Sequence, residues 1–460
     1  MEPKMRRGAR LVLSPLPFQG HITPMLQLAS ILHSKGFSIT IIHTQFNSPN
    51  SSNYPDFTFI PIPDGLSEII SSISDPVTFL SLLNVNCVIP FRDCLVRLLS
   101  ETSSNDGTET ETIPCLISDA MMHFTQGVAD SLKLPRLVLR TGSIESFLTF
   151  AAIPVLKQKG YFLPRSDSEL EMPVTELPPL KVKDLPTLNT KDPEAFYQLQ
   201  GTIVNQAKVS SGLIYNTFDD LEQSGLATLG QQFPIPIFTI GPFHKLFSAS
   251  SSSLLTQDRS CISWLDTQAP KSVIYVSFGS IVSMDETEFV EMAWGLANSK
   301  CPFLWVVRSG LVKGSEQVEP LWPDGFLEMI NGKGCIVKWA PQQEVLAHPA
   351  VGGFWTHNGW NSTLESICEG VPMLCRPSFG DQMVNARYVS HVWKVGLRLE
   401  NCKLERGEIE RSIRILMVEK EGEEMREIVA SLKGKAEVCI RNGGSSYQSL
   451  EDLIARILSF

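Results

Sequence analysis

The stretch Trp339–Gln382 reads WAPQQEVLAHPAVGGFWTHNGWNSTLESICEGVPMLCRPSFGDQ. Apolar runs alternate in it with polar, helix-forming ones. Gly334–Lys338 predicts a strand, and Trp339-Ala340-Pro341 ends it. Gln342–Ala347 predicts a short helix, Val351–Thr356 a buried strand, and Gly359–Glu369 a helix with apolar positions at helical spacing. Val371–Cys375 is the next strand, and Asp381 opens another helix. Strand, crossover helix and strand, repeated, make a parallel sheet with right-handed crossovers.

The polar residues of this stretch fall where strands end and helices begin. His357, Gly359, Trp360, Asn361 and Ser362 occupy one such junction, and Asp381 and Gln382 the next. In open α/β sheets ligands bind outside the carboxyl ends of the strands. A helix N-terminus carries open N–H groups and partial positive charge, which suits a phosphate. Gly359 lets the backbone approach an anion, and His357, Asn361 and Ser362 add side-chain donors. Glu365 lies one turn beyond Asn361 on the same face and can accept from sugar hydroxyls. These features predict a nucleotide or sugar-phosphate site.

Outside this stretch, length and composition set bounds. At 460 residues the chain is long enough for two domains. Its formal net charge of −10 argues against a nucleic-acid binder, which would carry a basic face. No apolar run is long enough for a membrane span. The start, MEPKMRRGARLVLSPLPF, has a short apolar run broken by Pro15 and Pro17, and reads as a basic tail before the first strand rather than a signal peptide. The ten cysteines include no Cys-x-x-Cys, so reduced, mostly buried thiols in a cytoplasmic protein are expected. No Asp-x-Asp occurs to hold a nucleotide-bound metal, and none is expected.

In chain order, Arg10–Ser14 predicts the first strand and Pro15–Gly20 a loop. A helix follows from about Ile22 to Ser34, with Pro24 in its first turn and Gly36 as its stop; Phe37–His43 is the second strand. His21 then sits beside a helix N-terminus, whose dipole keeps the imidazole neutral and able to act as a base. Taken alone it reads more often as a polar residue without chemistry. Pro61–Leu66 is turn-rich, and Ser100–Thr112 reads as an exposed loop. Pro114–Asp119 predicts a short buried strand. A carboxylate at its end can hold the distal nitrogen of His21, or cap the next helix. Leu134–Arg140 is a strand followed by Thr141-Gly142-Ser143. Pro164–Pro193 reads as a long surface excursion. Ser211–Asn216 and Ile237–Ile240 are the last strands of the first domain, and the Ser-rich Gly241–Gln257 is a linker. The α/β pattern then repeats, with strands at Ser272–Phe278 and Phe303–Arg308, and Gly279-Ser280 at another phosphate-suited end. A tail helix, Tyr447–Leu458, carries an apolar stripe.

Trp339–Gln382 closely resembles the 44-residue signature of plant secondary-product UDP-glycosyltransferases (family one): Trp, Pro-Gln, His-x-Gly-Trp-Asn-Ser, Glu, Gly-Val-Pro and a terminal Asp-Gln. The resemblance runs from Leu11 to the C-terminus and includes Pro17-Phe18-Gln19-Gly20-His21 and Ser277-Phe278-Gly279-Ser280. It is nearest the branch containing diterpenoid-glycoside and cytokinin glucosyltransferases. It implies an α/β GT-B fold, two Rossmann-like domains facing a cleft: an acceptor domain at 1–243, a linker at 244–257, a UDP-sugar domain at 258–440, and a tail at 441–460 returning to the first domain.

The resemblance also implies roles. His21 is the catalytic base and Asp119 orients it. Trp339 stacks on uracil beside Ala340, and Gln342 and Glu365 hold the ribose. Ser280, His357, Gly359, Asn361 and Ser362 take the diphosphate. Trp360, Asp381, Gln382 and Thr141 meet the sugar, and a terminal Gln goes with glucose. Gly20, Met121, Phe147, Phe196 and Phe379 shape the acceptor pocket, although a core role suits each aromatic equally. Asn358 departs from the Cys or Ser of many members. The implied activity is inverting transfer from UDP-glucose, a co-substrate, to a hydroxyl of a small hydrophobic metabolite, without metal or other cofactor, by a monomer. The cytokinin N-glucosylating members lack a His at the place of His21, which favours O- over N-glucosylation. A non-catalytic nucleotide-sugar binder would not need the His21/Asp119 pair. A nicotinamide oxidoreductase would show Gly-x-Gly-x-x-Gly, which neither first strand carries.

Overall fold

A computed structural model describes residues 8–66, 75–101, 111–163, 165–188, 190–247, 252–314, 322–399 and 404–460. The expected basic tail, most of the 100–112 loop and the middle of the Ser-rich linker lie outside the described residues. The chain divides into two compact units. The first comprises Met1–Leu163, Thr187–Leu254 and Cys439–Phe460; the second comprises Pro164–Pro186 and Leu255–Val438.

The first unit holds seven strands: β1 (Arg10–Ser14), β2 (Ser38–Thr44), β3 (Phe57–Ile62), β4 (Leu116–Asp119), β5 (Arg136–Arg140), β6 (Gly212–Tyr215) and β7 (Ile237–Thr239). They pair in parallel in the order β3-β2-β1-β4-β5-β6-β7. Runs such as RLVLS and SITIIHT are nearly continuous in apolar and β-branched residues because helices cover both sheet faces. Ser14 is level with Ser118 across β1 and β4. The order reverses between these two strands, and ligands bind such sheets at that reversal. The helix Ser445–Leu458 buries Leu450, Leu453, Ile454 and Ile457 in the same core as Leu11, Leu13 and Leu26.

The helix after β1 spans Gln19–Ser34, three residues longer at its start than the sequence predicts. The Phe18 carbonyl accepts the N–H groups of both His21 and Ile22, each at 2.9 Å, so Gly20 is helical rather than part of a loop. His21 becomes the third helical residue. Pro24 falls in the second turn, where it donates no hydrogen bond to the ladder.

The second unit repeats the design with β8 (Val273–Ser277), β9 (Phe303–Val306), β10 (Gly334–Val337), β11 (Val351–Thr356), β12 (Met373–Cys375) and β13 (Gly396–Arg398). All pairs are parallel, in the order β10-β9-β8-β11-β12-β13, and the reversal lies between β8 and β11. One face packs Ile274, Phe289, Met292, Trp305, Trp355 and Ile413. Among the described residues no single helix is long and apolar enough to cross a membrane.

The excursion after residue 163 departs from expectation: Pro164–Pro186 belongs to the second unit. Its anchor is Asp184, a fully buried carboxylate. Asp184 pairs with Arg398 and, at 3.4 Å, with Arg387, and accepts the Lys181 N–H at 2.8 Å. Arg387 also donates to the Pro179 carbonyl at 3.0 Å. Two guanidinium groups, each mostly buried, offset the desolvation of the carboxylate. Asp184→Ala would leave both without a counter-charge, and is expected to destabilise the second unit by roughly 3–5 kcal/mol in urea unfolding. A change below about 1 kcal/mol would mean that apolar packing holds the segment instead.

Candidate active site

In the first unit the chemistry gathers at the β1/β4 reversal. Asp119 ends β4, is 1 % exposed, and spends both oxygens: Oδ1 accepts the Met121 N–H at 2.8 Å, and Oδ2 faces His21 Nδ1 at 2.7 Å. A buried carboxylate at that distance requires the proton on Nδ1, so Nε2 carries the lone pair. Thr141, at the end of β5, places its hydroxyl oxygen 3.0 Å from the same Nδ1 and serves as its second acceptor. The structure therefore places the Thr141 hydroxyl beside the His21 ring. His21 keeps part of its ring at the surface, which a base needs to reach a substrate.

The residues expected to shape an acceptor pocket divide. Gly20 is exposed beside His21, and Met121 follows Asp119, its carbonyl accepting from Asn84 Nδ2 at 2.9 Å. Phe147 is fully buried, its ring 5.0 Å from that of Phe233 and 4.4 Å from the Arg140 guanidinium. Phe196 is buried in the same cluster. Both are core residues here, since their helices turn these positions inward. Phe379 lies in the second unit, half-buried against its core.

In the second unit, the ends of β8 and β11 enclose His357. Gly279 has φ +68°, and a Cβ there would lie 2.8 Å from the imidazole; a Cβ on Gly359 would lie 2.5 Å from Nε2. The ring thus sits between two glycines that no larger residue could replace without displacing it. Arg308 fixes the turn after β8, donating to the Gly279 carbonyl at 2.9 Å and to that of Val282. Burial, then the Arg308 charge, push His357 down to about 4. It is a neutral N–H donor at ordinary pH, so positive potential for an anion comes from Arg308 and from the start of the Trp360–Glu369 helix, which Gly359 caps.

Gln342, Ser362 and Glu365 are locked together. Gln342 Nε2 donates to Glu365 Oε2 at 2.7 Å and to Ser362 Oγ at 3.0 Å, while Gln343 Nε2 donates to Glu365 Oε1 at 2.8 Å. Burial raises the Glu365 carboxyl. Half-buried Trp339 and buried Ala340 directly precede this group, and the Trp339 carbonyl accepts the Asp258 N–H at 2.8 Å. Trp360 and Asn361 open the helix that carries Ser362 and Glu365.

At the next junction Gln382 Oε1 accepts the N–H groups of Ser378 at 2.9 Å and Phe379 at 3.3 Å. Its carbonyl oxygen is committed to the protein, and the amide –NH₂ is what it can offer a ligand. Asn385 donates to Asp381 Oδ2 at 3.2 Å and to the Asn358 carbonyl at 3.0 Å, joining the two ligand-suited turns. Asn358 itself is buried at φ +61°, which Asn tolerates, and its amide donates to Cys375 Sγ at 3.2 Å, away from His357. Sequence reasoning missed Arg308 and Asn385. The signals were an arginine at a strand's carboxyl end and an asparagine four residues after Asp381 on one helix face.

A pH dependence follows from His357. Its folded pKa of about 4 lies below the ordinary 6.5, so between these values the unfolded chain binds more protons. Its contribution to stability is complete above about pH 6.5 and disappears as pH falls through about 4. His357→Asn should lower the slope of stability against pH in this window by up to one proton, read by thermal unfolding. An unchanged slope would show that His357 titrates normally.

Comparison with known proteins completes the picture. The family model of UDP-glucoronosyl and UDP-glucosyl transferase matches residues 232–429. UDP-glycosyltransferase 76B1 of Arabidopsis thaliana is 54% identical over 450 residues, covering 98% of both chains. UDP-glycosyltransferase 76G1 of Stevia rebaudiana is 49% identical over 464 residues, covering 100% of this chain and 99% of its own. Among solved structures, Phytolacca americana UGT2 complexed with UDP-2fluoro-glucose and pterostilbene superposes with a TM-score of 0.81 at 28% identity, over 98% of this chain and 99% of that one. With a relative more than half identical along nearly its whole length, and two Rossmann-like units of parallel sheet, the chain belongs to the plant family-one UDP-glycosyltransferases and is a glycosyltransferase.

Proposed function

We propose that this enzyme transfers glucose from UDP-glucose to a hydroxyl of a small hydrophobic metabolite of the terpenoid, flavonoid or phenolic class, free or already glycosylated, giving a β-O-glucoside. The observation that carries this reading is the His21–Asp119 pair, with the proton fixed on Nδ1 and Nε2 left as the base. A hydroxyl acceptor needs such a base, because it must lose its proton as it attacks.

In this reading the acceptor O–H gives its proton to His21 Nε2, and Asp119 balances the imidazolium that forms. The oxygen attacks the anomeric carbon from the face opposite UDP. The bond from that carbon to the diphosphate oxygen breaks, its electrons stay on UDP, and an α-linked donor gives a β-linked product. Charge growing on the diphosphate meets the N-terminal end of the Trp360–Glu369 helix and the N–H of neutral His357, with no metal or other cofactor required. Trp339 offers the uracil a flat face. The Gln342–Glu365 clamp is preorganised for the ribose. Asp381 accepts from, and the Gln382 –NH₂ donates to, the sugar hydroxyls. The same reading keeps the enzyme cytoplasmic and monomeric.

His21→Ala should lower transfer to an unactivated alcohol by about 10²-fold or more while leaving UDP affinity unchanged, as read by product mass spectrometry and calorimetry. A near-normal rate would remove His21 from the mechanism. Chelators should leave the rate of the wild-type enzyme unaltered; strong inhibition reversed by added divalent metal would overturn the metal-free account.

A further inference from the structure

The mechanism leaves two buried carboxylates among the described residues of the first unit without a part, Asp64 and Glu222. Glu222 is 3 % exposed and stands where the Asp219–Gln232 helix is kinked, at φ −122° and ψ 32°. Its Oε1 accepts the N–H of Ile144 at 2.8 Å and that of Glu145 at 3.4 Å. These are the first two residues of the Ile144–Ala151 helix, and Ser143 Oγ accepts the N–H of the third, Ser146, at 3.1 Å. The open donors of this helix start are therefore met largely by Glu222, reaching from 77 residues away. Ahead of the helix, Thr141-Gly142-Ser143 forms the entire turn from β5. Thr141 at its head places its hydroxyl 3.0 Å from His21 Nδ1. A turn this short, tied to a buried strand at one end and a capped helix at the other, leaves Thr141 little freedom to move.

We propose that Glu222 is a positioning residue for the base: by holding the start of the Ile144–Ala151 helix it keeps the Thr141 hydroxyl on His21 Nδ1. The inference rests on the reading of His21 as base. Charged and titratable groups around Glu222 are Glu145 on the capped helix and Tyr215 at the end of β6, which itself faces Arg140 at the end of β5. Burial, with a contribution from the Glu145 charge, pushes Glu222 up to about 8. At neutral pH the cap is then an uncharged carboxyl whose oxygen accepts. An amide can supply the same acceptor, and a hydrocarbon cannot.

The test uses the full chain with ¹⁵N-histidine, the His21 ring signals being identified by their loss in His21→Ala. Glu222→Gln should leave the His21 Nδ1 resonance in place and kcat within about twofold of wild type. Glu222→Leu should displace that resonance and lower kcat with an alcohol acceptor about tenfold, with the KM for UDP-glucose unchanged. An undisplaced His21 resonance in folded Glu222→Leu overturns the proposal. So does a displaced one in Glu222→Gln, which keeps the proposal open to refutation if the leucine variant does not fold. Absence of transfer by the wild type would count against the transferase reading, while the resonances still decide the role of Glu222.

Discussion

Every strand of each sheet runs parallel, so within a unit all the carboxyl ends lie along one edge. This constraint is what makes residues distant in sequence into one site. His21 follows β1, Asp119 ends β4 and Thr141 follows β5, three consecutive strands of one sheet. In the second unit Ser280, His357 and Asp381 follow β8, β11 and β12, again neighbours. The helix that returns from each strand turns its N-terminus to the same edge. An imidazole held beside a helix start in the first unit and helix N-termini gathered at one edge in the second both follow from a single topology.

Burial then decides what each group does. His357 between two glycines is held neutral and serves as a donor, not as a cation. Glu365, surrounded by two glutamine amides, is a scaffold as much as a ligand. Gln382 gives its oxygen to two backbone N–H groups, which fixes the polarity of what remains. In each case the surrounding protein fixes the orientation of the polar group before any ligand arrives. The cost of orienting these groups is met on folding rather than at the moment of binding.

Much of this was legible in the sequence because it is local. The strands that were expected lie within two residues of their expected ends, since continuous apolar runs bounded by Gly and Pro have few alternatives, whereas β3, whose end overlaps the turn-rich Pro61–Leu66, and the short β13 were not expected. The donor junctions were legible because a strand, a glycine and a helix start follow one another directly. What was not legible depends on contacts across long stretches of chain. The early start of the first helix hangs on the Phe18 carbonyl, which no composition reveals. Phe147 and Phe196 read equally as pocket or core, and only the packing of their helices turned them inward. Asp184 reads as an ordinary surface aspartate until Arg387 and Arg398, more than 200 residues later, close around it.

That last contact bears on how relatives can be recombined. The natural place to cut this chain is the Ser-rich linker, exchanging everything before it for the same region of another member. Such a cut would separate Pro164–Pro186 from the arginines that hold it, because the segment is earlier in sequence but belongs to the later unit. A heritable module in this fold is therefore discontinuous: the later unit carries a piece of the earlier unit's sequence. Where Asp184, Arg387 and Arg398 vary, they must vary together, and a chimera that keeps both units whole needs four crossovers rather than one.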